Sequence, residues 1–370
     1  MISEPLTQIK SADKVVWMTR PARSKEVVSE IIDYTILSLA TTVFKKLSKE
    51  KASEILLNAA ELLGSKVYDE FVTKKITTPQ EWCENINELI FEPMGTTLKW
   101  VKVTDDSAEV EIFECPTLAR ALAAPEIVCP FSYGFGRALW RKSFPEGDLK
   151  MRGTIALGMK GCNFQFIKKS SESMREDLKR MMQQAVLPER VDVHPKPLTE
   201  FTIRVGDYAI LALTDSIFGS LDKNEASEVV ITAAEELGRL VFEKRVGKKI
   251  EKYTPMDWAR LTSGYIWNLQ GTGIVFSEIS DEKIVAHIFK CPTPERAGKS
   301  PHIACPFSWG YARGVWKSIF SEGEVLMGGT MAHGAPTCQF FFYVKAGREL
   351  SEERERVRRY LTKEEELRLL

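Results

Sequence analysis

Cys129-Pro130-Phe131-Ser132-Tyr133-Gly134 returns 176 residues later as Cys305-Pro306-Phe307-Ser308-Trp309-Gly310. Outward from this phrase the displacement of 176 holds without a gap from Trp82/Trp258 through Cys115/Cys291 to Cys162/Cys338. Between Cys115 and Phe166, 25 of 52 positions are identical to their counterparts, far more than unrelated segments share. Upstream the displacement is 174, where Asp33-Tyr34-Thr35-Ile36-Leu37-Ser38-Leu39 returns as Asp207-Tyr208-Ala209-Ile210-Leu211-Ala212-Leu213. A long internal period outranks any short motif in deciding a fold. It predicts two tandem homologous domains, 26–168 and 200–345. An extension at 1–25, a linker at 169–199 and a charged C-terminal segment at 346–370 complete the chain.

Within a repeat, periodic apolar positions predict helices over 26–48 and 53–74 and a short third helix opening at Thr78-Pro79, where proline suits the first turn. Thr97 to Val103 and Ala108 to Glu114 alternate apolar and polar residues around Asp105-Asp106-Ser107, the pattern of a hairpin. Phe131 to Phe144 reads as an aromatic-rich helix. Leu149 to Leu157 and Cys162 to Ile167 read as a second hairpin across Gly158-Met159-Lys160-Gly161. Strands that bunch rather than alternate with helices predict an α+β class, each domain an antiparallel sheet of two hairpins with helices packed against it. The linker contains Pro188, Pro195 and Pro197 and is expected to be extended and exposed. Leu350, Val357, Leu361 and Leu367 recur at near-helical spacing, so the charged segment from Arg348 to Leu370 is expected to dock as a helix on the body or on a second subunit. That leaves a homodimer or a protein partner through this helix open.

Lys plus Arg equals Asp plus Glu at 51 each, which gives no global field for nucleic acid or an anionic membrane. The start, Met1-Ile2-Ser3-Glu4-Pro5, lacks the basic and apolar regions of a secretory signal. The most apolar early stretch, Tyr34 to Phe44, is interrupted by hydroxyl residues and is shorter than a membrane span. A cytoplasmic protein with no nucleic-acid or membrane partner is the expectation. Seven cysteines in such a chain argue for thiols or thiolate ligands over a disulfide framework.

Each half carries Cys-Pro, then Cys-Pro-Phe-Ser-aromatic-Gly, then Cys-polar-Phe, at spacings unlike a zinc finger. Cys83 became Ala259 between the halves, whereas all three shared cysteines persist. Two readings explain three thiols. Cys115, Cys129 and Cys162, and likewise Cys291, Cys305 and Cys338, are candidate ligands for zinc, copper(I) or an iron–sulfur cluster. Alternatively they are core residues, with Cys162, Phe164 and Phe166 on one face of a strand and Cys338, Phe340 and Phe342 on its counterpart. A nucleophilic role for Cys129 or Cys305 needs a base. Only the second half offers His302 and His333, opposite Glu126 and Leu157. Asp33/Asp207, Tyr34/Tyr208, Arg120/Arg296 and Arg137/Arg313 are further polar residues kept in both halves. Arg137 and Arg313 are candidates to clamp a substrate carboxylate or to pair with a neighbouring acid, and Asp33 and Asp207 are candidate substrate contacts. No phosphate loop, Gly-x-Ser-x-Gly elbow or His-Glu-x-x-His is present, and Gly134-Phe135-Gly136 and Gly328-Gly329 are too short to count.

Phe113-Glu114-Cys115-Pro116, Val128-Cys129-Pro130 and the run from Met151 through Thr154, Gly158 and Cys162 to Phe166 resemble the L-2-amino-thiazoline-4-carboxylate hydrolase family. The second half matches through Cys291-Pro292, Cys305 and Thr330 to Phe340. The hairpin is also similar to that of 4-vinyl-reductase-type small-molecule-binding domains. The resemblance implies hydrolytic opening of a small sulfur- and nitrogen-containing ring with the cysteines at or near the site. The expectation is therefore a cysteine-dependent, metal-bearing or metal-free hydrolase-like protein, with a non-catalytic sensor or accessory protein binding a small molecule, zinc or an iron–sulfur cluster as the alternative.

Overall fold

The computed structural model describes residues 5–11, 14–170, 174–187, 197–247, 252–292 and 301–361. The chain divides into a continuous unit, Ile32–Ser220, and a split unit made of Met1–Ile31 and Leu221–Leu370. The fold is α+β with two antiparallel sheets.

In the continuous unit the helices α1 (Lys25–Lys46, from Ile32 onward), α2 (Lys49–Phe71) and α3 (Pro79–Ile86) precede the strands β3 (Thr97–Val103) and β4 (Ser107–Glu114). Then come α4 (Leu118–Ala123), α5 (Pro125–Ser143), β5 (Asp148–Gly153), β6 (Cys162–Ile167), α6 (Met174–Gln183) and α7 (Glu200–Ser220). The strand order is β3-β4-β6-β5. The start of α3 follows from sequence, because Thr78 and Glu81 form a reciprocal capping box and Pro79 occupies the first turn. α3 runs into a π-helical turn at Asn87–Phe91. Trp82 is fully buried and meets Trp140 and Phe166 at ring-centroid distances of 4.8 Å each, so α3, α5 and β6 share one aromatic centre.

The split unit places the hairpin β1 (Leu6–Ser11) and β2 (Lys14–Thr19) against β7 (Gly273–Ile279), giving a sheet ordered β1-β2-β7-β8-β10-β9. Its other strands are β8 (Lys283–Lys290), β9 (Glu324–Met327) and β10 (Cys338–Tyr343). Its helices are α8 (Lys223–Arg245), α9 (Pro255–Thr262), the single turn α10 (Asn268–Gln270), α11 (Pro301–Lys317) and α12 (Arg348–Leu361). Thr254 and Asp257 cap α9 as Thr78 and Glu81 cap α3, and Trp258, Trp316 and Phe342 form the corresponding aromatic centre.

Several expectations need correction. The segment 1–25 supplies a two-stranded hairpin, whose Thr19 hydroxyl accepts from the Ile274 amide at 2.8 Å. The aromatic helix starts at Pro125 rather than Phe131 and continues through Pro130, which lies inside the helix and gives up the bond its amide would make to the Glu126 carbonyl. The strand expected to reach Leu157 stops at Gly153 and gives way to a 3-10 turn at Ile155–Leu157 closed by Gly158 at φ +92. Residues 169–199 are not all linker, since α6 packs on α2 and α5 with Leu178 and Met182 buried. Charged residues outnumber apolar ones in α6, which hides it in a sequence reading. Pro188 and Pro195 lie outside the described residues.

The compact units also depart from the repeat boundaries. α7 opens the second repeat yet belongs to the continuous unit, where it packs on α2. Phe201 meets Phe71 at 4.7 Å, Tyr208 donates to Glu70 at 2.8 Å and Ser216 donates to the Ile55 carbonyl at 2.6 Å. α1 is long and apolar enough by composition to cross a membrane, and most of its apolar stretch is buried inside the protein. The described part of α12 packs on β9 and α11 and buries Val357. Leu367 lies outside the described residues.

Candidate functional site

Eight helices and strands of the continuous unit, α1, α2, β4, α4, α5, β5, β6 and α7, converge on one cavity. On α5, Cys129, Ser132, Tyr133 and Gly136 fall at helical spacing on the face that lines it. That face is fixed by α5 packing on α2, and by two anchors to the sheet. The Trp140 indole donates to the Ile167 carbonyl at 2.9 Å, and Arg137 Nε donates to Asp148 Oδ1 at 2.8 Å. Cys162 opens β6 opposite Ile112 of β4, and Cys115 lies just past the end of β4, so strand pairing brings both to the same end of the sheet. All three cysteines line the cavity.

The cavity has a volume of about 140 Å³ and a wall that is mostly aliphatic and aromatic, including Ile36, Leu56, Phe91, Val110, Phe164 and Leu213. That is far more room than one water needs, and a dry apolar cavity of similar size takes a benzene-sized molecule. Its polar groups are few: the three thiols, some hydroxyls and Arg120. Arg120 Nε lies 2.8 Å from Asp33 Oδ1 with both side chains buried. Burial pushes the Asp33 carboxyl above its ordinary pKa, against the opposing pull of Arg120.

Two thiols of this trio have a local partner. Cys115 Sγ lies 3.1 Å from Thr117 Oγ1, and Cys162 Sγ accepts from the Ile155 amide at 3.3 Å. Cys338 Sγ accepts from the Met331 amide at the same 3.3 Å. Cys162 and Cys338 thus hold the start of a 3-10 turn, a role alanine or valine lacks. Burial pushes the Cys129 and Cys305 thiols up to about 12 and raises Cys162 and Cys338 as well. Among the described residues no three His, Cys, Asp or Glu side chains form a group that could hold a metal ion. The zinc or iron–sulfur expectation for Cys115, Cys129, Cys162, Cys291, Cys305 and Cys338 therefore finds no ligand group among the described residues.

The second half differs where Leu157 is replaced by His333. Cys305 Sγ lies 3.9 Å from Thr330 Oγ1, and Thr330 Oγ1 lies 2.6 Å from His333 Nδ1. In the first half the Thr154 hydroxyl instead accepts from the Leu157 amide at 3.2 Å. A thiol, a hydroxyl and an imidazole therefore form a chain in the split unit alone. His302 lies on α11 with its side chain outside the described residues, as does all of Arg296.

Arg137 and Arg313 face acids of the protein. Arg137 contacts Asp148 and, at 2.7 Å, Glu61, while Arg313 contacts Glu324 at 2.8 Å and Glu235. Neither stands open as a clamp for a substrate carboxylate, and Arg137 does not line the cavity. Asp33 reaches the cavity only through Arg120, and Asp207 is half-buried on α7 away from the cavity wall. Thr154, Thr330 and Tyr133 went unassigned in the sequence reading. The signal for the threonines was present, since Thr154 and Thr330 coincide at the repeat displacement.

No family model, no curated protein and no solved structure matches this chain.

Proposed function

We propose that this chain is a small-molecule-binding protein whose continuous unit holds an apolar ligand without turning it over. The observation that carries this reading is the cavity of about 140 Å³, walled mostly by apolar side chains, with thiols whose pKa burial raises at Cys129 and Cys162 and no histidine in its lining to act as their base. A sensor or accessory role follows more naturally from such a wall than hydrolysis, which needs water and a charged transition state stabilised. The repeated sequence, the matching strand orders and the matching caps support an origin of both halves in one duplicated module. In this reading the first copy kept a ligand cavity, and only the second acquired an imidazole beside its thiol.

The test uses propylbenzene as the neutral probe and isothermal titration calorimetry of the full chain. One equivalent is expected to bind, and Ala209→Phe, which places a ring in the cavity wall contributed by α7, is expected to abolish binding while the melting temperature is kept or raised. No binding up to the solubility limit of the probe would overturn the reading.

A second reading, cysteine-dependent chemistry on a small electrophile, is favoured by the Cys305–Thr330–His333 chain. With the imidazole proton on Nε2, the Thr330 hydroxyl donates to Nδ1 and accepts from the Cys305 thiol. Attack by sulfur would move the thiol proton to Thr330 and the hydroxyl proton to His333. Iodoacetamide tests this, since alkylation forms an S–C bond, expels iodide and leaves the proton on the base. His333→Leu, which restores the residue of the first half, is expected to slow alkylation of Cys305 relative to Cys129 on the order of 100-fold, the lower end of general-base effects. An unchanged ratio of the two sites, read by peptide mass spectrometry, would sink it.

A further inference from the structure

Arg120 is the anomaly in the cavity wall. It is only 6 % exposed, it lines a mostly apolar space, and among the described residues Asp33 is the single acid it meets. The contact with Asp33 is through Nε, at 2.8 Å. Even so, Arg120 Nε and Asp33 Oδ1 are both buried without a hydrogen bond of good geometry, and among the described residues no hydrogen bond from either Nη group to the protein is present. Guanidinium donors are rarely left in apolar surroundings, because water lost on burial must be replaced by acceptors. Among the described residues Asp33 is the one acid near enough to replace it, and its contact is a charge pair rather than a well-formed hydrogen bond. The Nη edge is planar and matches the two oxygens of a carboxylate.

We infer that the molecule held in this cavity is an apolar monocarboxylate, with its carboxylate on the Nη edge of Arg120 and its hydrocarbon body against Ile36, Leu56, Phe91 and Leu213. The inference rests on the proposal that the cavity binds a small molecule, and it adds the class of that molecule. A single negative charge fits better than a phosphate dianion. Asp33 already offsets much of the guanidinium charge, and the remaining wall would leave the outer oxygens of a phosphate without donors. The same wall rejects a second charge at the far end of the ligand. Arg120 does what Arg137 was expected to do, because α4 turns it into the cavity while α5 turns Arg137 toward Asp148.

Calorimetric titration of the full chain with 3-phenylpropionate and with propylbenzene, which share the hydrocarbon body and differ in the carboxylate, separates the claims. The acid is expected to bind about 10-fold more tightly or better, the scale of a hydrogen bond to a charged group. In the double variant Arg120→Met, Asp33→Asn, which leaves no carboxylate buried without its cation, this preference is expected to vanish while propylbenzene binds as before. Asp33→Asn alone removes the competing acid and is expected to strengthen binding of 3-phenylpropionate only. Equal affinity of the two probes for the unmodified chain overturns the inference and leaves the binding function standing. Failure of both probes to bind overturns the binding function and the inference with it. Should the double variant not fold, the comparison in the unmodified chain and in Asp33→Asn still decides the matter.

Discussion

Replacing Arg137 by methionine is expected to destabilise the continuous unit by about 3–5 kcal/mol, the cost of removing one partner from a buried charge pair. Arg137 and Asp148 side chains are each 5 % exposed, so the carboxylate left behind could not hydrate. The same guanidinium also holds Glu61, which Arg175 of α6 contacts at 3.1 Å, so one substitution would loosen α2, α5, β5 and α6 together. Hydrogen exchange of the amides in α5 and β5 reads this loss within the unit, where global unfolding of a two-unit chain would blur it. The variant Arg137→Met, Asp148→Asn retains an acceptor for the Leu149 amide but no buried charge, and is expected to recover much of the loss. A single variant with native exchange rates would return Arg137 to the pool of ligand-binding candidates. The counterpart pair gives the sign of the pH dependence. Burial raises the Glu324 pKa, but the hydrogen bond and charge of Arg313 outweigh it and leave the carboxyl below its ordinary range. The stability this pair contributes is therefore complete above the ordinary glutamate pKa and is lost as the pH falls through the depressed one.

The fate of these arginines shows what the residues alone could and could not reveal. Their persistence in both halves marked them as important, and the acids that claim them lie beyond the reach of helix or strand periodicity: Asp148 and Glu324 on the next strand, and Glu61 and Glu235 two helices back or more. Sequence pattern gives helix faces and strand alternation, because those depend on neighbours within a few residues. It does not give which arginine meets an acid and which meets a void. Sequence favoured Arg137 over Arg120 as the carboxylate clamp, and the fold made Arg120 a lining residue and Arg137 a strut. The thiols behaved likewise. Their spacing suggested ligands, whereas β4, β6 and α5 close around apolar residues, and burial raises the pKa of Cys129 and Cys162. α6 stayed hidden because its apolar residues are few and its main tie, Arg175 to Glu54 at 2.7 Å, is electrostatic and long-range. The hairpin of β1 and β2 stayed hidden because it has no counterpart in the other half against which to compare it.

Gly134-Phe135-Gly136 was set aside as too short to be a phosphate loop, and its first glycine proves to be part of a longer pattern of small residues four apart. Ala60 and Gly64 on α2 face Gly134 and Ala138 on α5, and Ala234 and Gly238 on α8 face Gly310 and Gly314 on α11. A Cβ on Gly134 would lie 2.8 Å from the Ala60 methyl, and one on Gly64 would lie 2.6 Å from the Ala138 methyl. In the split unit the helices approach backbone to backbone. A Cβ on Gly314 would lie 2.2 Å from the Glu235 carbonyl oxygen, and one on Gly238 would lie 2.3 Å from that of Tyr311. No side chain can swing aside to relieve either clash, so the helices must separate and forfeit packing along their whole contact. Gly314→Ala is accordingly expected to cost about 3 kcal/mol, the upper part of the overpacking range, even though alanine is the better helix former by up to about 1 kcal/mol. Ala138 occupies the equivalent place in α5, where it faces Gly64 and its methyl is accommodated, so the close approach at Gly314 is particular to the split unit. Gly136→Ala is the control. A Cβ there meets nothing within 4 Å, and its counterpart in the second half is already Ala312, so the change is expected to be neutral or stabilising. Denaturant unfolding of the two variants separates the explanations. A Gly314→Ala protein as stable as its parent would mean that α8 and α11 do not meet at their backbones, and the glycines would then need another account.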